Sequence, residues 1–302
     1  MSAANMESLR RLFQPTEEYR LASALFLKAL ALIYLAAFLS LAPQIAGLAG
    51  PEGVLPFHLY LEQTLQEHGL TALLQVPVVF WLGSPDLALQ GVAWTGAGLS
   101  LLVLAGRWQQ GALVLLFLFY LSLYRAGQVF MNFQWDTLLL EAGLLAIFLQ
   151  RSPTALVLFL FHWLLFRLRF MSGFFKLASG DPSWSGFTAL DHYFETQPLP
   201  HAGAWFAHWL PHWLHQAGVG LTFFSELVVP FFLFLPRLWR LAAVAVTLLM
   251  QGLILATSNH NFFNLLTIAL CLLLLDDRLL ARLLPAALRR RLLREPARPA
   301  GP

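Results

Sequence analysis

Residues Leu21–Ala42 read LASALFLKALALIYLAAFLSLA, 22 residues with a single charge at Lys28. A helix rises about 1.5 Å per residue, so roughly 20 apolar residues cross a bilayer's hydrocarbon core. This stretch is long enough and apolar enough to do so. Leu87–Gly106, Thr154–Gly173 and Ala217–Leu235 repeat the pattern, and Leu241–Thr257 is only slightly shorter. Three further runs, Gly111–Tyr124, Asp136–Leu149 and Phe262–Leu275, hold 14 residues each. In isolation each of those fits a buried or re-entrant segment as well as a span.

Composition agrees. The chain is 58% hydrophobic and 12% charged, with a mean hydropathy of +0.66. An ordinary soluble domain carries about 25% charged residues. Twenty-six Phe and ten Trp suit a lipid-facing bundle with aromatic belts at its rims. The expected fold is all-α, a polytopic integral membrane bundle of about eight helices. Residues 1–277 read as one transmembrane domain and 278–302 as a basic cytoplasmic tail resting on anionic headgroups. A pI near 9.3 does not point to nucleic acid, because seven of the 19 basic residues crowd into that tail. No cleavable leader is expected, since the first apolar run is too long and follows some twenty polar residues.

Charge placement sets the expected topology. Cytoplasmic loops carry excess Lys and Arg. With the N-terminus inside and eight spans, Arg10, Arg11, Arg20, Arg107, Arg151, Arg237, Arg240 and the tail arginines all fall inside, 14 of the 19 basic residues. The Pro43–Asp86 connection then lies outside, with Glu52, Glu62, Glu67 and Asp86 and no basic residue. Within it Gly69–Leu82 is apolar but short and contains Pro77, so a re-entrant or interfacial piece is expected there. Lys28, Arg125, Arg167, Arg169 and Lys176 break the rule. A charge near a helix centre costs at least about 2.5–3.5 kcal/mol on insertion scales.

His162, Arg169 and Lys176 recur every seven residues and share one helical face. Lys176 falls at the outer surface, with Arg169 about 10 Å deeper. Asp136, Glu141, Glu226 and Asn264 fall in the outer half as well, so a polar pocket open to the outside is expected there. Gln134, Asp181, His192, Tyr193 and Glu195 lie at its mouth. Buried charges need partners, so Arg167 or Arg169 is expected to meet Glu141. Glu226, without an evident neighbour, is expected to be protonated or bonded to the backbone. Such residues equally serve to hold helices together.

His208, His212 and His215 follow a spacing that could present three imidazoles to a metal. Trp205, Trp209 and Trp213 interleave with them and Pro211 breaks the helix, so an interfacial aromatic segment is the expected reading. No nucleotide-binding Gly loop, nucleophile elbow or zincin motif occurs. No cofactor and no metal is expected. Cys271 is the sole cysteine, which excludes an intrachain disulfide, a CxxC motif and a cysteine-based zinc site.

Asn132–Leu149 reads NFQWDTLLLEAGLLAIFL, and Phe166–Pro200 reads FRLRFMSGFFKLASGDPSWSGFTALDHYFETQPLP. AWFAHWLP and SNHNFFNLLTIALCLLLLDD follow. Together these resemble the lipase maturation factor family over roughly Ala105 to Asp277. The resemblance implies a membrane protein that helps secreted lipases fold and assemble, in the endoplasmic reticulum for eukaryotic members. Family-typical positions are Phe133, Gln134, Trp135, Asp136, Glu141, Arg167, Lys176, Gly180, Asp181, Trp184, Tyr193, Glu195, Thr196, Gln197, Pro198 and Asn264. Members typically continue into a soluble domain after the last span. The partners expected are therefore membrane lipids, an exported client and a separate soluble protein in place of that domain, with no nucleic acid.

Two other readings compete. FMSGFFKL at Phe170–Leu177 is similar to the stretch of vitamin K-dependent gamma-carboxylase that carries its catalytic lysine, within the horizontally transferred transmembrane superfamily. That likeness implies an enzyme acting on a lipid, quinone or peptide, with Lys176 as base. A transporter is disfavoured, since no pair of Gly/Pro-broken helices repeats between the halves. Rich Leu, Ala and Arg with only two lysines suggests a GC-rich bacterial genome and hence a plasma membrane.

Overall fold

The computed structural model describes Gln14 and residues 17–83, 85–149, 152–199 and 201–293. Among these residues all regular structure is helical, with no strand. Arg10, Arg11, Arg151, Arg294 and Arg298 lie outside the described residues. The apolar runs become eight helices: α1 (Arg20–Leu41), α2 (Pro85–Ala105), α3 (Gln109–Gly127), α4 (Gln134–Phe148), α5 (Ala155–Ala178), α6 (His212–Phe223), α7 (Arg237–Thr257) and α8 (Phe263–Cys271). Tighter or wider turns prolong α3 to Phe130, α6 to Phe234 and α8 to Leu274. Six of the eight are long and apolar enough to span a membrane, and α4 and α8 are shorter. The run Gly111–Tyr124 is not short after all. Polar Gln109, Gln110 and Arg125 extend it into the 22-residue helix Gln109–Phe130.

Contacts at one end fix the parity of crossings. The Asp277 carboxylate, just beyond α8, accepts the backbone N–H groups of Leu21 and Ala22 at 2.9–3.1 Å, filling orphan donors at the start of α1. Arg237, the first residue of α7, pairs with Asp276, and Arg240 donates to the Tyr19 hydroxyl at 3.0 Å. The starts of α1 and α7 and the end of α8 therefore share one side. If only the six long helices crossed, five crossings would separate the start of α1 from the start of α7 and put them on opposite sides. The 15-residue α4 must cross as well. Returning from the start of α7 to the end of α8 requires α8 to cross too, which makes eight crossings among the described residues.

The chain packs as two compact units: residues 1–22 with 153–283, and residues 23–152 with 284–302. In the second, Tyr34, Phe38 and Tyr120 bring α1 and α3 together with ring centroids 5.5–6.0 Å apart. Gly96 of α2 and Gly143 of α4 leave room for the Phe38 ring and the Tyr34 hydroxyl, the close approach that small residues permit between membrane helices. Lys28 reaches the Leu104 carbonyl at the end of α2, satisfying a carbonyl that the helix leaves open. Gly69–Leu82 forms three short broken turns: Gly69–Thr71, Ala72–Gln75 and Val79–Leu82. It is tied to α3 by Val79 N–H to Ser122 Oγ and by Arg125 to the Gln75 carbonyl.

In the first unit α5 packs on the extension of α6, and α7 packs on that extension and on α8. Phe166 and Phe170 of α5 meet the Phe231 ring at 5.3 and 5.6 Å. The connection between α5 and α6 folds into short helices, Pro182–Ser185, Ala189–Tyr193 and Ala202–His208.

Candidate functional site

The seven-residue stripe on α5 is real, and its centre is a glycine. Arg169, Gly173 and Lys176 follow one another at four and three residues, the spacing of neighbours on one helical face. Gly173 is buried, and the side chains of Glu226 and Leu227 on the next helix fill the space a side chain of its own would take. That next segment is unusual. Phe224–Val228 is a π turn, closed by Val229 N–H to the Phe224 carbonyl, and it contains Glu226. Pro230 supplies the cause. It has no N–H to give the Glu226 carbonyl four residues back and its ring would press on that carbonyl, so the ladder widens.

The wide turn aims Glu226 between two cations. Lys176 Nζ donates to Glu226 Oε2 at 2.8 Å and to Ser172 Oγ at 2.8 Å. Arg169 Nη1 lies 3.9 Å from Glu226 Oε1, and its Nη2 donates to Ser225 Oγ at 2.9 Å. Arg169 and Glu226 are buried, at 5% and 4% exposure, so the pair sits in a medium where charge interactions are strong and unpaired charge is costly. Of the two arginines expected to pair, Arg169 meets Glu226, and Glu226, expected to be protonated or bonded to the backbone, lies between two cations. Neither the direction of a π turn nor the identity of a neighbouring helix is encoded in the spacing along α5. Arg167, 200° around the helix from Arg169, is exposed.

The K-L-x-S-G-D-P-x-W motif folds back over this group. Gly180 takes the left-handed conformation (φ +70°) that ends α5. The Asp181 carboxylate caps Pro182–Ser185 by accepting Ser183 N–H at 2.9 Å, with Pro182 at the first helical position. That backbone bond holds the carboxyl below its usual range. The turn brings the Trp184 ring to 5.3 Å from Lys176 Nζ, a cation–π contact.

The next motif docks on the far end of α7. The Tyr193 hydroxyl shares hydrogen bonds of 3.0 Å with Ser258 Oγ and His260 Nε2, and Gln197 donates to the Thr257 carbonyl at 2.9 Å. Burial raises the Tyr193 pKa. Burial, and then the charge of Lys176, lowers that of His260. His192 and Glu195 are exposed, with Glu195 3.9 Å from His208.

Among the described residues no group of three or more His, Cys, Asp or Glu is placed to hold a metal. Pro211 does separate the histidines. His212 and His215 turn instead to Asp191, with Nδ1 to Oδ1 distances of 3.0 and 2.7 Å. Burial pushes the Asp191 carboxyl upward, and the bonds from His215 and His212 outweigh it, leaving the group below its usual range.

Other polar side chains are buried in this unit. Among the described residues both amide atoms of Asn264, both of Gln251 and the Nε of Arg169 are buried without a hydrogen-bond partner. His162 bonds the Leu273 carbonyl at 3.0 Å, a structural use about two helical turns deeper than Arg169. In the other unit Asp136 is buried and accepts the Tyr120 hydroxyl at 2.5 Å, Gln134 is exposed and Glu141 is half-buried. The Phe133 and Trp135 rings stack at 4.5 Å beside them.

Residues 21–282 match a family model described as the lipase maturation factor transmembrane domain. The chain belongs to the lipase maturation factor family. It is 44% identical to lipase maturation factor 2 of Xenopus laevis over 284 residues, covering 87% of this chain and 40% of that protein. The human lipase maturation factor 2 is 43% identical over 297 residues, covering 87% and 41%. Lipase maturation factor 1 of Bos taurus is 36% identical over 280 residues, covering 86% and 50%. The chain thus spans two fifths to one half of the length of these relatives. No solved structure matches it.

Within this lipase maturation factor domain, sequence reading missed three residues. Gly173 and Pro230 carry no functional group, yet they set the helix approach and the π turn that place Glu226. Ser225 passed unnoticed because a serine in an apolar run is common. The available signal was a proline four residues after an intramembrane glutamate.

Proposed function

We propose that the chain is the membrane-embedded part of a maturation factor for exported proteins, lipases first among them, and that it works without catalysis. The observation that carries this is the 43–45% identity to proteins named lipase maturation factor 2 over 86–87% of this chain. The arginine-rich side, with Arg20, Arg237, Arg240, Arg278 and Arg282, faces the cytoplasm by the positive-inside rule. Lys176, Trp184, Tyr193 and Asp191 then face the compartment through which clients pass. The exposed Trp205, Phe206, Trp209 and Trp213 border that side, where amphipathic rings suit both a membrane rim and an unfolded client. Lys176 spends its ammonium on Ser172 and Glu226, which supports a positioning use of the charge.

The relatives compared are vertebrate proteins, so a bacterial plasma membrane finds no support in them. An endoplasmic reticulum membrane suits them better. The test is complementation. Cells lacking their own lipase maturation factor receive this chain, and the activity of a secreted lipase is measured per milligram secreted. A rise with the lipase transcript unchanged supports the proposal. An exported lipase unchanged in both amount and specific activity overturns it.

A further inference from the structure

At the arginine-rich end of the first unit, on the opposite side from Lys176, lies a cavity of about 520 Å³. Arg237, Arg240, Arg278 and Arg282 line it, with Glu18, Tyr19, Asp276 and Asp277. Four guanidiniums against three carboxylates leave a net charge of +1, but the distribution of hydrogen bonds matters more than the sum.

Two of the three carboxylates are turned to their own partners. Both oxygens of Asp277 accept the Leu21 amide, and one also accepts that of Ala22. Asp276 accepts Arg237 and the Leu279 N–H, bonds that hold its pKa down, the arginine's contribution first. Glu18 reaches Arg278 only at 4.0 Å, between side chains 68% and 84% exposed. The guanidiniums, by contrast, have donors to spare, since each carries five N–H groups. Arg240 gives Nη1 to Tyr19, and its Nε is buried without a hydrogen-bond partner. Arg282 stands exposed at the rim.

A cavity rich in donors and poor in free acceptors selects an anion. The planar forks of arginine match phosphate oxygens in pairs, and a phosphate would complete the hydrogen bonding that the protein leaves open. The cavity also lies where α1 and α7 begin, at headgroup depth on the side where anionic lipids concentrate. We propose that this cavity binds a phosphate-bearing anion, of the kind found in a phosphomonoester lipid headgroup or in free inorganic phosphate. Nothing in the maturation proposal requires it.

The experiment uses the purified full chain in a neutral detergent. Three probes are compared at matched concentration by thermal unfolding and native mass spectrometry: dioctanoyl phosphatidic acid, inorganic phosphate and dioctanoyl phosphatidylcholine. Phosphatidic acid should raise Tm and stay bound where phosphatidylcholine does neither, and inorganic phosphate acting equally well would assign the site to the free ion. Arg240→Gln should weaken the effective probe by roughly tenfold or more, as loss of a charge-assisted hydrogen bond implies. Arg282→Glu, at an exposed position that the fold tolerates, should weaken it as well. If neither phosphate probe binds above phosphatidylcholine, or if both variants bind as the parent does, the proposal is wrong.

Discussion

Gly173 of α5 lies so close to the α6 extension that a methyl group in its place would meet Glu226 Cβ at 2.8 Å and Leu227 Cγ at 2.9 Å. This approach lets a single carboxylate serve both Arg169 and Lys176, one turn away on either side. Gly173→Ala should therefore cost about 1–3 kcal/mol, as overpacking does, and Gly173→Leu more. Gly91→Ala in α2, where nothing lies within 4 Å, should stay within about 0.5 kcal/mol. Thermal unfolding of the purified chain reads both. Equal effects at the two glycines would remove close approach as the explanation.

The Arg169–Glu226 pair should show strong non-additivity. Glu226→Gln leaves a buried guanidinium without its counter-charge and should cost about 3–5 kcal/mol. Adding Arg169→Met to that variant should restore part of the loss, because the uncompensated charge goes with it. Denaturation of the parent, both single variants and the double variant measures the coupling. A double variant whose cost equals the sum of the singles would deny it.

Acid should release the loop over α6 in a defined window. The Asp191 carboxyl sits below its ordinary value, so its folded form favours the charged state. Its contribution is then complete above the unfolded value, about 4, and is lost as pH falls through that value towards the lower folded one. Asp191→Asn should abolish this part of the acid dependence while leaving the rest. Stability measured against pH for both proteins decides it, and parallel curves below about pH 5 would contradict it.

Much of this was legible in the apolar runs, and the exceptions have physical causes. Leu21–Ala42 could only be a span, and the spacing of Arg169 and Lys176 placed them on one face before any fold was known. The arginine count required an even number of crossings, and Asp277 and Asp276 confirm that parity by joining α8 to the starts of α1 and α7. Glu226 was recognised as important but assigned no ionic partner. Its orientation comes from a π turn, a one-residue change in hydrogen bonding that leaves hydrophobic periodicity nearly intact. The break that Pro211 makes in the His208, His212 and His215 pattern was legible, but the partner of His212 and His215 was not, because Asp191 lies on a separate short helix. Partners across helices are set by packing, which one-dimensional spacing does not record.

Topology is open to direct chemical test. In a Cys271→Ser background, cysteines placed at Glu52 and Asp181 should react with a membrane-impermeant reagent from the exported side. One placed at Arg289 should react only from the cytoplasmic side. The opposite pattern would move the Lys176 site to the wrong side for handling exported clients.

Lys176→Met provides the most direct measurement of the role in maturation proposed for this site. Lys176 is partly exposed, and its loss leaves Arg169 and Glu226 still paired, so the protein should reach the membrane in normal amount. The specific activity of a secreted lipase in complemented cells should fall several-fold while secreted mass and transcript hold steady. Full specific activity from the variant, at matched membrane abundance, would contradict a working role for the α5–α6 charge cluster.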